Sequence, residues 1–133
     1  MSKGWHIAQD GGVWTLCRRM PARFDLIAET VLLPVHPVRL MHQIRQDIWR
    51  ALQRLRGFAP AVRLTPDAAG WRVAAGGQAP VFAPVHLERL RAVLERPANR
   101  SRWARYAGHW SEPAAKSAAA LGGGTNDLGE DLR

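Results

Sequence analysis

The chain has 133 residues, a hydrophobic fraction of 47%, six Trp and a formal net charge of +8. This is the length of one domain with enough apolar residues for a core, which argues against wholesale disorder. No apolar run approaches the roughly 20 residues of a membrane-spanning helix, no signal-peptide stretch follows the first residues, and Cys17 is the single cysteine. We therefore expect a cytoplasmic protein without an intramolecular disulfide bond.

The first three elements are predicted to be strands. Segments 4–8 and 13–18 are rich in aromatic and β-branched residues and flank the turn sequence DGG at 10–12, a pattern that predicts a β-hairpin. Segment 24–33 is ambiguous between a third strand and a short helix. Its β-branched residues and the proline that follows favour a strand.

A long helix is predicted next. Pro37 suits the first helical position and Gly57 suits a C-terminal cap. Segment 39–57 holds five Arg against a single Asp. Its apolar residues recur at the spacing of a helix with one buried face. These residues are Leu40, Ile44, Ile48, Ala51, Leu52 and Leu55.

The second half of the chain predicts another hairpin and two shorter helices. Segments 61–65 and 71–75 flank a Pro- and Gly-containing turn and predict the hairpin. A helix is predicted over 85–96, stopped by Pro97. A third helix is predicted over 101–107, with its first serine as the N-cap.

Together these elements predict an α+β fold. It has one small antiparallel sheet, built from two hairpins and an extra strand, with one long and one or two shorter helices on one face. The pattern P-V-H-x-x-R-L occurs at 34–40 and again at 84–90, both at predicted helix starts. Such a repeat is consistent with two ββα-like units. A chance match, in a chain so rich in these residue types, is the alternative.

The charge is unevenly distributed along the chain. Residues 1–110, the predicted basic α+β domain, hold 17 Lys/Arg and 7 Asp/Glu. Residues 111–133, with 2 Lys/Arg and 4 Asp/Glu, three consecutive Gly and no aromatic residue, predict a flexible, mildly acidic tail. We interpret this tail as an inert terminus in preference to a regulatory segment.

An excess of cations favours a polyanionic partner, because neutralised phosphates release counterions. Of the 19 cations, however, 17 are Arg. A GC-rich coding sequence explains that choice of Arg over Lys at least as well as nucleic-acid recognition does. It does not explain the excess of base over acid.

One strip of the long helix stands out as a candidate contact surface. His42, Arg45, Trp49 and Arg56 project within about 60° of one another, on the polar flank of the helix. An aromatic ring offers a face on which bases stack, and Arg pairs with phosphate. The alternative, slightly favoured because Trp is usually buried, is a Trp at the core edge covered by Arg stems.

A second candidate segment, 100–110, interleaves Arg with aromatic residues. In a helix, Trp103, Tyr106 and Trp110 lie on one stripe, which more often docks on a core than stacks bases. The neighbouring Arg side chains would still add to a cationic surface. The predicted nucleic-acid-binding residues of both segments are His42, Arg45, Trp49, Arg50, Arg54, Arg56, Arg100, Arg102 and Arg105.

No motif for catalysis or metal binding is present. The five His do not have ligand spacing, and neither a nucleophile motif nor a P-loop occurs. Asp47 is interpreted as an ion pair with Arg50 and Arg54 on its own helix. We therefore predict a non-enzymatic protein with no catalytic residue, no metal and no cofactor.

Two functions are consistent with these patterns. The first is a small basic module that binds RNA or DNA through the Arg-rich helix. The alternative is an interaction or adaptor domain, or a homodimer, with an acidic protein partner, since Trp and Arg are enriched at hot spots. Docking on an anionic membrane ranks last, because the apolar face of the helix is predicted to cover the sheet. Exposure of Trp49 is the observation that most affects this choice.

Overall fold

The structure is a computed structural model that describes residues 4–110. The predicted tail, 111–133, lies outside the described residues. The elements, in chain order, are β1 (His6–Asp10), β2 (Val13–Cys17), β3 (Leu26–Leu32), α1 (Pro37–Leu52), β4 (Ala59–Asp67), β5 (Gly70–Gln78), α2 (Pro84–Glu95) and α3 (Pro97–Ala107).

The strands form one antiparallel sheet in the order β1-β2-β4-β5-β3. Both predicted hairpins are present, and segment 24–33 contains a strand, as its β-branched residues favoured. This strand, β3, does not pair with β2, which precedes it in the chain. It pairs with β5 and forms the edge of the sheet opposite β1. The predicted α+β fold with a single antiparallel sheet is confirmed.

The core lies between one face of the sheet and the helices. The register aligns Leu16 with Val62 and Val62 with Ala75, and all three side chains are buried. Residues in the opposite phase, such as Arg72 and Glu29, are exposed, as expected for a sheet with one solvated face. The apolar arc of α1 is fully buried against this sheet at Leu40, Ile44, Ile48 and Leu52.

Helix α1 ends five residues before the predicted cap at Gly57. Two backbone bonds with three-residue spacing, Leu55 N–H to the Leu52 carbonyl (2.9 Å) and Phe58 N–H to the Leu55 carbonyl (3.2 Å), tighten the chain after the helix. Gly57 supplies the positive φ, 75°, that this turn requires. Arg54 and Arg56 therefore lie in a turn, where helical periodicity no longer fixes their direction.

Helix α3 begins four residues earlier than predicted. Pro97, which was expected only to stop α2, is also the first residue of α3, where the missing proline N–H has no helical partner to lose. The N-cap is Arg96, so Ser101 lies inside the helix.

No helix in residues 4–110 combines the length and apolar character needed to cross a membrane.

The repeated P-V-H sequence occupies different positions in the two helices. His36 is the N-cap of α1, and its Nδ1 accepts a bond from the Arg39 N–H (3.4 Å). His86 is the third residue of α2, and its Nδ1 accepts a bond from the Ala83 N–H (2.9 Å). The second hairpin is followed directly by α2, whereas β3 separates the first hairpin from α1. The two halves therefore differ in their elements as well as in their helix starts.

Candidate nucleic-acid interface

Helix α1 has two flanks beside its buried face. Arg45 and Trp49 are one turn apart and share a flank, whereas Asp47 lies about 160° around the helix from Arg45. Helix α3 packs on the Asp47 flank. The predicted site residues are therefore divided between two sides of α1 and do not form one continuous surface.

Trp49 is 42% exposed. Its indole is stacked almost parallel on the ring of Phe58, with a centroid distance of 6.2 Å and an interplanar angle of 6°. Phe58 is buried, so the core supports the indole from one side while the rest of the ring meets solvent. The alternative of a covered Trp at the core edge accounts for the stacking but not for this exposure.

A second aromatic ring on the same flank carries two cations. The guanidinium carbon of Arg45 lies 4.6 Å from the ring centroid of Trp5, and that of Arg18 lies 4.9 Å from the same centroid. Such contacts stabilise a cation by the ring quadrupole. We refer to Trp5, Arg18, Arg45 and Trp49 as the Trp–Arg surface.

The two cations of the Trp–Arg surface lack a counter-ion within the described residues. Neither Arg18 nor Arg45 forms a salt bridge with a carboxylate in residues 4–110. The Nε of Arg45 is buried and has no hydrogen-bond partner among the same residues. Burial, followed by the charge of Arg18, lowers the pKa of Arg45. An anion bound here would offset the cost of burying the Arg45 charge and would weaken its repulsion from Arg18.

His42 positions Arg45. Its Nδ1 lies 3.2 Å from Nη2 of Arg45. Burial, followed by the charge of Arg45, lowers the pKa of His42, so the neutral ring accepts a hydrogen bond from the guanidinium group.

The opposite flank of α1 is occupied by a buried carboxylate. Oδ2 of Asp47 accepts bonds from Nη1 (2.9 Å) and Nη2 (2.7 Å) of Arg102 and from Nε1 of Trp103 (2.7 Å). Arg50 approaches Oδ1 at 3.4 Å. The predicted pairing of Asp47 with Arg50 is therefore present, and Arg102 takes the place expected for Arg54.

Arg100 is also held inside the fold. Its Nη1 donates to the Thr30 hydroxyl (2.8 Å) and the Leu94 carbonyl (2.9 Å), and its Nη2 donates to the Val31 carbonyl (2.7 Å). These bonds join α2 and α3 to the edge strand β3. Arg100 and Arg102 thus have internal partners that satisfy most of their donors.

The remaining predicted cations are exposed. Arg54 and Arg56 lie in the turn between Trp49 and its stacking partner Phe58, and Arg105 lies on α3. None of the three pairs with a carboxylate in the part of the chain that the structure describes.

The predicted aromatic stripe of the third helix is divided. Trp103 is fully buried, as a docking helix requires, but Tyr106 is 63% exposed. Trp110 lies beyond the end of α3 and packs edge-on against His36, with ring centroids 5.1 Å apart. Helix α3 therefore docks through Trp103 and Ala107, which are one turn apart and both buried.

Trp5, Arg18 and Phe58 were missed by sequence reasoning. Trp5 and Arg18 flank the first hairpin, and Phe58 follows the turn after α1, so no local period connects any of them to Trp49. The one signal available for Trp5 and Arg18 is the first hairpin, whose pairing of His6 with Cys17 brings these two residues next to each other.

Within residues 4–110 no group of three or more His, Cys, Asp or Glu side chains is arranged to hold a metal ion. Comparison with protein families, curated proteins and solved structures finds no match for this chain.

Proposed function

We propose that this chain is a small non-enzymatic module that binds single-stranded RNA or DNA through the Trp–Arg surface. The observation that carries the proposal is the exposed indole of Trp49, stacked on Phe58 and one turn from Arg45. A ring held in one orientation offers its face to a base at little entropic cost, and neighbouring guanidinium groups attract phosphates.

The charge distribution supports a polyanionic ligand. Residues 4–110 hold 16 Arg and 7 Asp/Glu. Arg18 and Arg45 of the Trp–Arg surface have no carboxylate partner among these residues, and neither do Arg54 and Arg56 in the turn between Trp49 and Phe58. Arg100 and Arg102 are left out of the proposed interface because each makes three hydrogen bonds on the α3 side of α1, away from the Trp–Arg surface.

The stacking platform favours an unpaired strand. In a duplex the base faces are already covered by neighbouring bases, so an exposed indole gains nothing by approaching them. In a single strand each base presents a face that any aromatic ring can cover. RNA and DNA expose the same base faces, so the exposed indole would stack on either.

The test is fluorescence anisotropy of labelled single-stranded and duplex oligomers at low salt. Wild-type protein should bind the single strands more tightly, and Trp49→Ala should weaken that binding by about ten-fold, the effect of losing one stacked base. Tyr106→Ala is the matched control, because it removes an exposed aromatic ring from α3, on the opposite flank of α1. Undetectable binding at low salt, or equal weakening by both variants, would overturn the proposal.

An acidic protein partner is the alternative, because Trp and Arg side chains also anchor protein interfaces. A pull-down from nuclease-treated lysate distinguishes the two. Capture of a protein that survives nuclease treatment and is lost in Trp49→Ala, without oligomer binding, would favour this alternative.

A further inference from the structure

An apolar cavity of about 380 Å³ lies between the end of β3, helix α3 and the turn of the β4–β5 hairpin. Its walls include Leu33, Val35 and Trp103. It shares no residue with the Trp–Arg surface, so nucleic-acid binding does not account for it. Its volume lies within the roughly 300–1,000 Å³ range of small-molecule sites.

Hydrogen bonds hold the walls of this cavity in place. Nε1 of Trp103 is bonded to Asp47 (2.7 Å), and the carbonyl of Val35 accepts from Nε1 of Trp71 (2.8 Å). The bond from Arg100 to the Val31 carbonyl (2.7 Å) joins the α3 wall to the β3 wall. The cavity is therefore formed before any ligand arrives, as is usual for small-molecule sites.

Among the described residues the lining is apolar with one cation. Ten of these residues line the cavity: eight are apolar, the other two are Arg100 and Ser101, and none is a carboxylate. Arg100 makes three hydrogen bonds from its five N–H groups, which leaves two donors. Glu95, outside the lining, is 3.6 Å from Nη1 and 61% exposed, so solvent weakens its hold on the guanidinium charge.

We propose that this cavity binds a small apolar molecule that ends in one carboxylate, in the class of medium-chain fatty acids. The apolar chain would lie among Leu33, Val35 and Trp103. The carboxylate would accept from the two remaining N–H groups of Arg100 and from the hydroxyl of Ser101. This proposal does not depend on nucleic-acid binding.

The first test is a nuclear magnetic resonance titration of the whole chain with octanoate, octanol and octylammonium. Octanoate should saturate and shift the amide signals of β3 and α3 while leaving those around Trp49 unchanged. Octanol and octylammonium should bind at least about five-fold more weakly, because they lose the ion pair with Arg100. Absence of saturation at millimolar octanoate, or equal affinity for all three molecules, would overturn the proposal.

Two matched pairs of variants test the site itself. Ser101→Glu should weaken octanoate binding by about five-fold relative to Ser101→Gln, because the two side chains differ in charge and not in size. Ala104→Met should fill the cavity and abolish binding, whereas Ala98→Met, on the same helix but outside the lining, should not.

Thermal unfolding checks that each variant folds. Ser101 is exposed, so both of its variants should fold. They therefore test the carboxylate position even if Ala104→Met is unstable. Equal octanoate affinity in Ser101→Glu and Ser101→Gln would exclude a carboxylate beside Arg100.

Discussion

Nε1 of Trp103 donates a 2.7 Å hydrogen bond to Oδ2 of Asp47, and Nη2 of Arg102 donates to the same oxygen at 2.7 Å. The side chain of Asp47 is only 9% exposed. One carboxylate on α1 therefore binds two consecutive side chains of α3. Because a buried indole N–H and a partly buried guanidinium depend on it, this contact fixes the position of α3 against α1.

We predict that Asp47→Ala lowers the free energy of unfolding by about 3 kcal/mol, because it leaves two donor side chains, Arg102 and Trp103, without their shared acceptor. Asp47→Asn should lower it less, since the amide oxygen still accepts. Urea denaturation followed by circular dichroism measures both. Glu88→Ala is the control, because Glu88 is exposed and forms no ion pair within residues 4–110. Equal losses for Asp47→Ala and Glu88→Ala would show that the contact contributes little.

The sequence predicts those parts of the fold that local patterns encode. The apolar period of α1, the two hairpin turns and the β-branched residues of β3 all depend on neighbours in the chain, and each led to the correct element. The main partner of Asp47 is not encoded by neighbours in the chain. Arg102 is 55 residues away in the chain. Helical spacing pointed to Arg50, which does pair with Asp47, and to Arg54, which forms no such pair within residues 4–110.

The same limit applies to the candidate site. Helical spacing correctly placed His42, Arg45 and Trp49 on one flank of α1. It could not find Trp5 or Phe58, which reach this flank from other elements through tertiary packing.

Gly76 in β5 is a position where backbone geometry requires glycine. Its φ is 154°, and a Cβ atom there would overlap the carbonyl oxygen of Leu26 on the neighbouring strand. We predict that Gly76→Ala lowers the free energy of unfolding by about 2 kcal/mol, through backbone strain and displacement of β3. Ala74→Gly, the reverse change in the same strand, should cost only about 1 kcal/mol. Thermal and urea unfolding of both variants check this order, and a Gly76→Ala protein as stable as wild type would contradict it.

The proposed interface makes a prediction about salt. Each phosphate that the protein neutralises on a single strand lowers the logarithm of the binding constant by about 0.7 per logarithmic unit of salt. If Arg18 contacts one phosphate, Arg18→Ala should reduce the slope by about that amount. Arg105→Ala, which removes an exposed α3 cation that forms no ion pair within residues 4–110, should leave the slope unchanged. Anisotropy titrations at several salt concentrations measure the slope. Identical slopes for the two variants would show that Arg18 does not contact a phosphate.

The lowered pKa of His36 predicts that the free energy of unfolding depends on pH. Burial, followed by the charge of Arg39, lowers the pKa of His36 in the folded protein, while its Nδ1 accepts the capping bond from the Arg39 N–H. The unfolded chain, with a pKa of about 6.5, then binds the proton more readily than the folded chain does. As the pH falls below about 6.5, protonation therefore favours the unfolded state and the free energy of unfolding decreases. Above about pH 7.5 this group contributes no slope.

His36→Asn should remove that part of the pH dependence while keeping an oxygen acceptor at the N-cap. The pKa of His42 is lowered as well, so a smaller slope should remain and should disappear in the double variant His36→Asn/His42→Gln. Urea unfolding between about pH 5 and 8 covers the titration of both rings and stays above the range in which Asp25, whose pKa is also lowered, takes up its proton. If His36→Asn keeps the full wild-type slope, protonation of the N-cap histidine does not control the stability of this fold.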